Sequence, residues 1–353
     1  MIVVDAHQDI AWVAFRTGRD YRISALKHRQ NEAGHNTPDA TIGLPDSLLG
    51  RVAFVFATLF ASPAKHSWAM QQPDSLSYRD AKEAAAIANR QLDYYHRLHD
   101  EDERIHLVRT AADIDTVLDT WNDGTEINQR KQGLVILMEG ADPIIEPKQF
   151  EEWYERGVRI VGTAWSATRY SGGTGAPGGL THLGNDLLEV LGSYNAILDV
   201  SHMAEQSFYE ALDRYEGIVI ASHTNPRRFC DTDRHLSDDM IRRLAERDGV
   251  MGVVLLNDFL KRTWSKGTQR LPITIVADVI DYVCQLTGSA AHVGIGSDFD
   301  GGFGAESIPE EIETSGDLLE IAKVLRERGY DENAIEAIMG GNMLRKLRES
   351  LAK

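Results

Sequence analysis

A chain of 353 residues, of which 42% are hydrophobic and 26% charged, can bury a large core, which excludes a disordered protein and leaves room for one large α/β barrel or two ordinary domains. The formal net charge of −17 argues against nucleic acid and anionic membrane surfaces as partners, because both are bound through clusters of Lys and Arg. The two cysteines, Cys230 and Cys284, are too few for a disulfide framework and are not spaced as a CxxC pair, so a metal site has to use His and carboxylate ligands.

Eight short apolar runs alternate with longer segments along the chain. Runs without strict alternation of apolar and polar residues are typical of strands buried on both faces of a parallel sheet. The predicted strands one to eight cover residues 2–7, 52–59, 134–139, 158–165, 196–202, 217–223, 250–257 and 292–298. Helical patterns between them cover residues 147–156, 183–194, 205–215, 237–247 and 274–286. Repeated strand and helix predict a closed (β/α)8 barrel of the TIM type, with a doubly wound open sheet as the alternative.

Three stretches depart from this rhythm within what we expect to be a single domain over residues 1–353. Residues 10–50 are polar and mixed, and they predict a long loop after strand one that covers a site. The glycine-rich segment 170–179 predicts a tight turn rather than a phosphate cradle, since it lacks both the P-loop and the GxGxxG spacing. Residues 331–353 predict one or two amphipathic helices that close the barrel.

Candidate metal ligands stand at the carboxyl ends of the predicted strands. These ends meet at one rim of a barrel, where active sites are built. Three imidazoles and three carboxylates on one rim would be costly without a cation to balance them. The residues are His7 and Asp9 after strand one, Glu139 after strand three, His202 after strand five, His223 after strand six and Asp298 after strand eight.

The number of these groups predicts two divalent ions rather than one. Mixed imidazole and carboxylate ligands suit zinc, whereas calcium prefers oxygen ligands. Glu139 is the natural bridge, because one carboxylate can give an oxygen to each ion. Two ions about 3.5 to 4 Å apart can share and acidify a water. Asp298 is then placed to accept a proton from that water, which predicts a hydrolase.

These motifs resemble those of the membrane (renal) dipeptidase family, the M19 metallopeptidases of the amidohydrolase superfamily. The resemblance rests on DxHxD in strand one, EG after strand three, the two SH strand ends and the segment 294–301, and it spans essentially the whole chain. It implies that His7, Asp9 and Glu139 hold one zinc ion, and that Glu139, His202 and His223 hold the other. Strand four carries no lysine, unlike relatives that bridge their metals with a carboxylated lysine.

The same resemblance bears on the substrate. Arg234 stands where family members bind the substrate's terminal carboxylate, a role that suits the guanidinium fork. Family members carry a histidine for the oxyanion at the end of strand four, where this chain has Trp165. We expect one of three ways to stabilise the oxyanion here. The indole of Trp165 supplies one donor, His182 or another group reaches in from a loop, or the metals stabilise the oxyanion alone. Asn257 replaces an aromatic residue at the end of strand seven.

We therefore expect a binuclear zinc hydrolase that cleaves dipeptides or related N-acyl amino acids. The alternatives are an amidohydrolase of another small amide or lactone, and a metal-binding protein without activity. No stretch reaches the roughly eighteen apolar residues of a membrane span, and no basic signal segment begins the chain, so we expect a cytoplasmic protein without a membrane partner. The resemblance also suggests a homodimer.

Overall fold

Eight parallel strands form the centre of the molecule in a computed structural model, which describes residues 1–66 and 76–352. Most of their residues are buried, as expected for strands covered on one face by the barrel interior and on the other by helices. The strands are β1 (Val3–Gln8), β2 (Val52–Phe60), β3 (Gln132–Glu139), β4 (Val158–Gly162), β5 (Ile197–Asp199), β6 (Val219–Ala221), β7 (Val250–Val253) and β8 (Val293–Ile295).

Pairing between neighbouring strands closes the sheet into a barrel. The spatial order is β2-β1-β8-β7-β6-β5-β4-β3, and β3 pairs again with β2. That last pairing runs in parallel from Phe54 opposite Gly133 to Phe60 opposite Glu139. The predicted (β/α)8 barrel is therefore confirmed, and the open-sheet alternative is wrong, because an open sheet would leave these two edges unpaired.

Helices surround the barrel. Four of the five predicted helical patterns match helices to within one residue at each end, and the pattern at 147–156 forms a 3₁₀ turn followed by a shorter α-helix. The helices are α1 (Ile10–Thr17), α2 (Ala25–Asn31), α3 (Leu44–Leu49), α4 (Ala81–Glu101), α5 (Ala111–Leu118), α6 (Phe150–Glu155), α7 (His182–Ser193), α8 (Glu205–Arg214), α9 (Asp238–Glu246), α10 (Asn257–Leu260), α11 (Thr274–Thr287), α12 (Leu319–Glu327), α13 (Glu332–Glu336) and α14 (Asn342–Leu351).

Residues 10–50 do not form the predicted loop. Helix α1 follows β1 directly because Ile10 and Trp12 belong to a run of four buried residues at its start. Helix α2 begins after Ser24, whose side chain accepts a hydrogen bond from the Lys27 amide. The excursion is therefore largely helical. One of its connecting segments lies at the rim formed by the carboxyl ends of the strands, where the Thr41 amide donates a hydrogen bond to Asp300.

Several strands end earlier than the sequence predicts. Strands β5 and β8 end at Asp199 and Ile295, and the chain then turns through residues with left-handed backbone angles. His202 has a φ of 65° and Asp298 a φ of 61°, conformations that cannot continue a strand. The glycine-rich segment forms an antiparallel hairpin of Ser171–Gly173 and Ala176–Leu180, so its tight turn joins two strands.

Candidate metal centre

The strand ends bring the predicted ligands into one cluster, although they come from positions up to 216 residues apart. His7 lies within β1 and Asp9 follows its last residue, while Glu139 ends β3. His202 and His223 stand three and two residues beyond the ends of β5 and β6. All five are buried, and the structure brings them together as the sequence predicts.

Glu139 lies between two groups of side chains. Its Oε2 atom is 3.7 Å from Nε2 of His7. Its Oε1 atom is 3.2 Å from Nε2 of His202 and 3.3 Å from Nε2 of His223. Asp9 adds a carboxylate to the first group, with Oδ2 3.8 Å from Nε2 of His7. The two oxygens of one carboxylate therefore face two separate sets of possible ligands.

Burial gives the imidazoles the protonation state that suits a cation, but it disfavours the charged form of the carboxylate beside them. Desolvation lowers the pKa of His7, His202 and His223 well below the usual value, which keeps the imidazoles neutral with a free lone pair. Burial raises the pKa of Glu139 well above its usual value, and the charge of Asp9 raises it further. A cation would reverse that effect and hold the carboxylates ionised.

A buried atom without a partner supports the same interpretation. Nε2 of His7 is buried and has no hydrogen-bond partner, and it points to Glu139 and Asp9. An unpaired buried nitrogen is costly unless something occupies the space in front of it. His7, Glu139 and His223 also place one potential ligand atom each within 4.8 Å of one another. The donor set therefore fits divalent metal ions.

Polar side chains hold two of the predicted ligands in place. Thr58 of β2 donates its hydroxyl to Oδ1 of Asp9 over 2.7 Å, which leaves Oδ2 toward the cluster. Thr174, in the turn of the hairpin after β4, has its hydroxyl 2.9 Å from Nδ1 of His202. Such outer contacts fix the orientation of a ligand and the nitrogen that it presents.

Asp298 lies on the same rim in a constrained turn. Its Oδ1 is 3.9 Å from Nε2 of His7, and burial raises the pKa of its carboxyl well above the usual value. Asp300, which also has a left-handed φ of 60°, anchors this turn. Thr41 donates its amide and hydroxyl to Asp300 over 2.9 and 2.8 Å, and Arg19 forms an ion pair with it at 3.3 Å. The segment 10–50 therefore holds the turn that carries Asp298 in place. The sequence of this segment alone does not predict that role.

A cavity of about 350 Å³ opens onto the cluster. Arg234 lines it together with Asp298 and both histidines of the second group. Arg234 is buried and donates one hydrogen bond from Nη2 to the His223 carbonyl over 2.8 Å, while its Nη1 has no partner. A buried guanidinium with a free donor beside the cavity suits recognition of an anionic group.

A second set of residues on the cavity wall is aromatic. The ring of Trp165 is 5.2 Å from Phe60, 4.7 Å from His66 and 6.1 Å from His202, measured between centroids. His66 comes from the connection after β2 and is a cavity residue that the sequence analysis missed. His182 is exposed at the start of α7 and is not among the residues that line the cavity. It is therefore not the group that reaches in beside Trp165.

An aromatic side chain stands beside Arg234 in spite of Asn257. Asn257 is buried and donates to the Ile308 carbonyl over 3.0 Å, away from the cavity. Phe259, two residues further along, lines the cavity and places its ring 5.6 Å from the Arg234 guanidinium carbon. An aromatic ring is thus present beside Arg234, although Asn257 itself is not aromatic.

Comparison with known proteins identifies the family of this chain. A model of the membrane dipeptidase family, peptidase family M19, matches residues 1–353. This chain belongs to that family. The family, the enzyme class of metallo-dipeptidase and the use of divalent metal predicted from sequence are thereby confirmed.

Relatives of this M19 chain include both uncharacterized and named proteins. An uncharacterized protein in the pqqA 5′ region of Klebsiella pneumoniae is 30% identical over 255 residues, which cover 69% of this chain and 89% of that protein. Dipeptidase 3 of Mus musculus is 26% identical over 292 residues, which cover 80% of this chain and 54% of that protein. This chain thus spans about half the length of the mouse protein.

A solved structure shares the fold. It is a metallopeptidase from Rhodobacter sphaeroides liganded with a phosphinate mimic of the dipeptide L-Ala-D-Ala. The two chains are 22% identical and superpose with a TM-score of 0.78, covering 99% of each. Within residues 1–66 and 76–352 of the M19 chain, none of the helices is both long and apolar enough to cross a membrane.

Proposed function

We propose that this M19 protein is a binuclear zinc-dependent hydrolase that cleaves the amide bond of dipeptides or closely related N-acyl amino acids. The division of the two Glu139 oxygens between His7 on one side and His202 with His223 on the other carries this proposal. In it, His7, Asp9 and Glu139 hold one ion, and Glu139, His202 and His223 hold the other. Mixed imidazole and carboxylate donors favour zinc.

The bound ions would supply electrophilic polarisation of the substrate carbonyl and acidify a water. Asp298 would accept the proton of that water and return it to the leaving amine. Its position beside His7 and its contact with the cavity support this role. The turn anchored by Asp300 would keep this carboxyl from rotating away.

Arg234 would bind the terminal carboxylate of the substrate. Its free Nη1 and its place on the cavity wall support the assignment, and the neighbouring ring of Phe259 limits access of water to the ion pair. A dipeptide held there would extend its amide bond toward Glu139. The phosphinate dipeptide mimic bound by the Rhodobacter sphaeroides relative is consistent with such a substrate.

Replacement of Arg234 by methionine tests this anchor. We expect Arg234→Met to lower kcat/KM for dipeptides. The corresponding loss of transition-state stabilisation is roughly 2 to 5 kcal/mol, the cost of leaving one charge of a desolvated pair without its partner. Dipeptide amides lack the carboxylate, so the variant should hydrolyse them at nearly the same rate as the parent protein does. Equal losses on acids and amides would mean that Arg234 does not bind the carboxylate.

Trp165, together with Phe60, would bind an apolar side chain on the acyl side of the scissile bond. Both rings line the cavity, in which Arg234 is the one arginine or lysine among the described lining residues. We expect Trp165→Ala to raise KM about tenfold for dipeptides with an N-terminal leucine or phenylalanine, or roughly 1.5 kcal/mol. Dipeptides with N-terminal glycine serve as the control and should be unaffected.

Trp165→His distinguishes a binding wall from a lost oxyanion donor. If a missing imidazole limits the enzyme, this variant should gain rate on simple dipeptides. If it only impairs them, the parent indole is the better group, and a missing imidazole does not limit the enzyme.

A screen of the zinc-loaded protein against L,L and L,D dipeptides, N-acyl amino acids, simple amides and lactones tests the function itself. We expect dipeptides to be hydrolysed fastest. Preferential hydrolysis of amides or lactones without a carboxylate would contradict the proposal, as would metal binding without any hydrolysis.

A further inference from the structure

We propose that Ser222 is a positioning residue that fixes the tautomer of His7 and His223 together, and thereby couples the two metal positions. The inference rests on the proposed binuclear site. The Ser222 hydroxyl is fully buried beneath the cluster, 2.9 Å from Nδ1 of His223 and 3.4 Å from Nδ1 of His7. The two imidazole rings are stacked with centroids 3.5 Å apart, so one hydroxyl reaches both.

The direction of the hydrogen bonds follows from the partner of Ser222. Asp199, the last residue of β5, accepts the backbone amides of Ser201 and Ser222 on Oδ1 over 3.0 and 2.9 Å. Its Oδ2 accepts the Ser222 hydroxyl over 2.5 Å. A hydroxyl has one proton and two lone pairs, so a proton given to Asp199 leaves only acceptor sites for the imidazoles. Both histidines must therefore carry their proton on Nδ1.

That tautomer leaves Nε2 of both rings as a lone pair directed into the cluster. Nε2 of His7 faces Oε2 of Glu139, and Nε2 of His223 faces Oε1. The two histidines thus belong to the two different ligand groups. One buried serine controls a ligand in each group, so its loss should weaken both metal positions.

His202 offers a matched comparison within the same site. Its Nδ1 contacts the hydroxyl of Thr174, which lies 2.9 Å away and belongs to the hairpin after β4. Thr174 contacts a ligand of one group only. Its loss should therefore weaken one metal position and leave the other as it is.

The decisive experiment measures zinc affinity by chelator competition in the parent protein, Ser222→Ala and Thr174→Val. We expect Ser222→Ala to weaken both binding steps by about 10- to 100-fold, the usual effect of removing an outer contact of a metal ligand. We expect Thr174→Val to weaken one step only. If Ser222→Ala leaves either step unchanged, the shared role is refuted. If the parent protein binds no zinc, it is the proposed function that fails.

An isosteric variant tests the proton direction without a change of packing. In Asp199→Asn the two backbone amides should hold the carbonyl oxygen at the Oδ1 position, which turns the amide nitrogen toward Ser222. The hydroxyl then accepts from the amide and is free to donate to Nδ1 of His223, its shortest remaining contact at 2.9 Å, which reverses that tautomer. We expect ¹⁵N NMR of the metal-free proteins to show Nδ1–H on His7 and His223 in the parent and Nε2–H on at least one of them in Asp199→Asn. Nε2–H tautomers in the parent would overturn the proposal, even if Ser222→Ala failed to fold.

Discussion

Asp298→Asn is expected to lower kcat for dipeptides roughly 10²- to 10⁴-fold, which is the usual contribution of a positioned acid or base. The asparagine side chain keeps the size and the partly buried position of the carboxyl but cannot accept a proton. Steady-state kcat measured on the zinc-loaded variant checks this, and KM should change little because Arg234 and the aromatic wall are intact.

Metal content is the control for this variant. Oδ1 of Asp298 lies 3.9 Å from Nε2 of His7, and Asp298 forms a group with His7 and Asp9 whose ligand atoms are within 4.8 Å. Such a group could itself hold an ion. If Asp298→Asn loses zinc in proportion to its loss of rate, Asp298 is a ligand and not the proton acceptor. A near-normal rate would remove it from the mechanism.

Glu139→Gln is expected to abolish activity by releasing both ions. The amide nitrogen of glutamine cannot bind a cation, so at most one of the two positions keeps its oxygen, and the negative charge that both ions share is lost. Metal analysis after dialysis and the rate of hydrolysis check this together. Circular dichroism and thermal unfolding show whether the buried amide is tolerated by the barrel.

Asp9→Asn is the matched control, since Asp9 lies near His7 and would serve one ion only. It should lose one ion more readily than the other. If Glu139→Gln binds two ions as tightly as the parent, or loses no more than Asp9→Asn, Glu139 is not shared by the two metals.

The barrel could be predicted from sequence because its strands are buried on both faces. Apolar runs such as 52–57 and 134–138 are typical of strands that are covered on both faces. Helix α4 was missed because its buried face is built largely of small or amphipathic residues such as Ala84, Ala88 and Tyr95. A three-residue strand at Ile105–Leu107, which pairs with the start of β3, is too short for any periodic signal.

The cluster of candidate ligands could be predicted because the strands themselves carry those residues to the rim. His66 and Phe259 could not, because their place in the cavity depends on how connecting segments pack after the barrel has formed. The same holds for Arg19 and Thr41, which reach Asp300 from more than 250 residues away. Only the spacing of motifs along strands is visible in the sequence, and contacts made by loops are not.

Counting the metal ions bound to the purified parent protein tests the central claim most directly. The protein should be stripped with a chelator, titrated with zinc under anaerobic, chelator-free conditions, and analysed by native mass spectrometry. We expect a final state of about two ions per chain, because Glu139 presents one oxygen to each of two ligand groups. Saturation at a single ion per chain, or no binding at all, would contradict it.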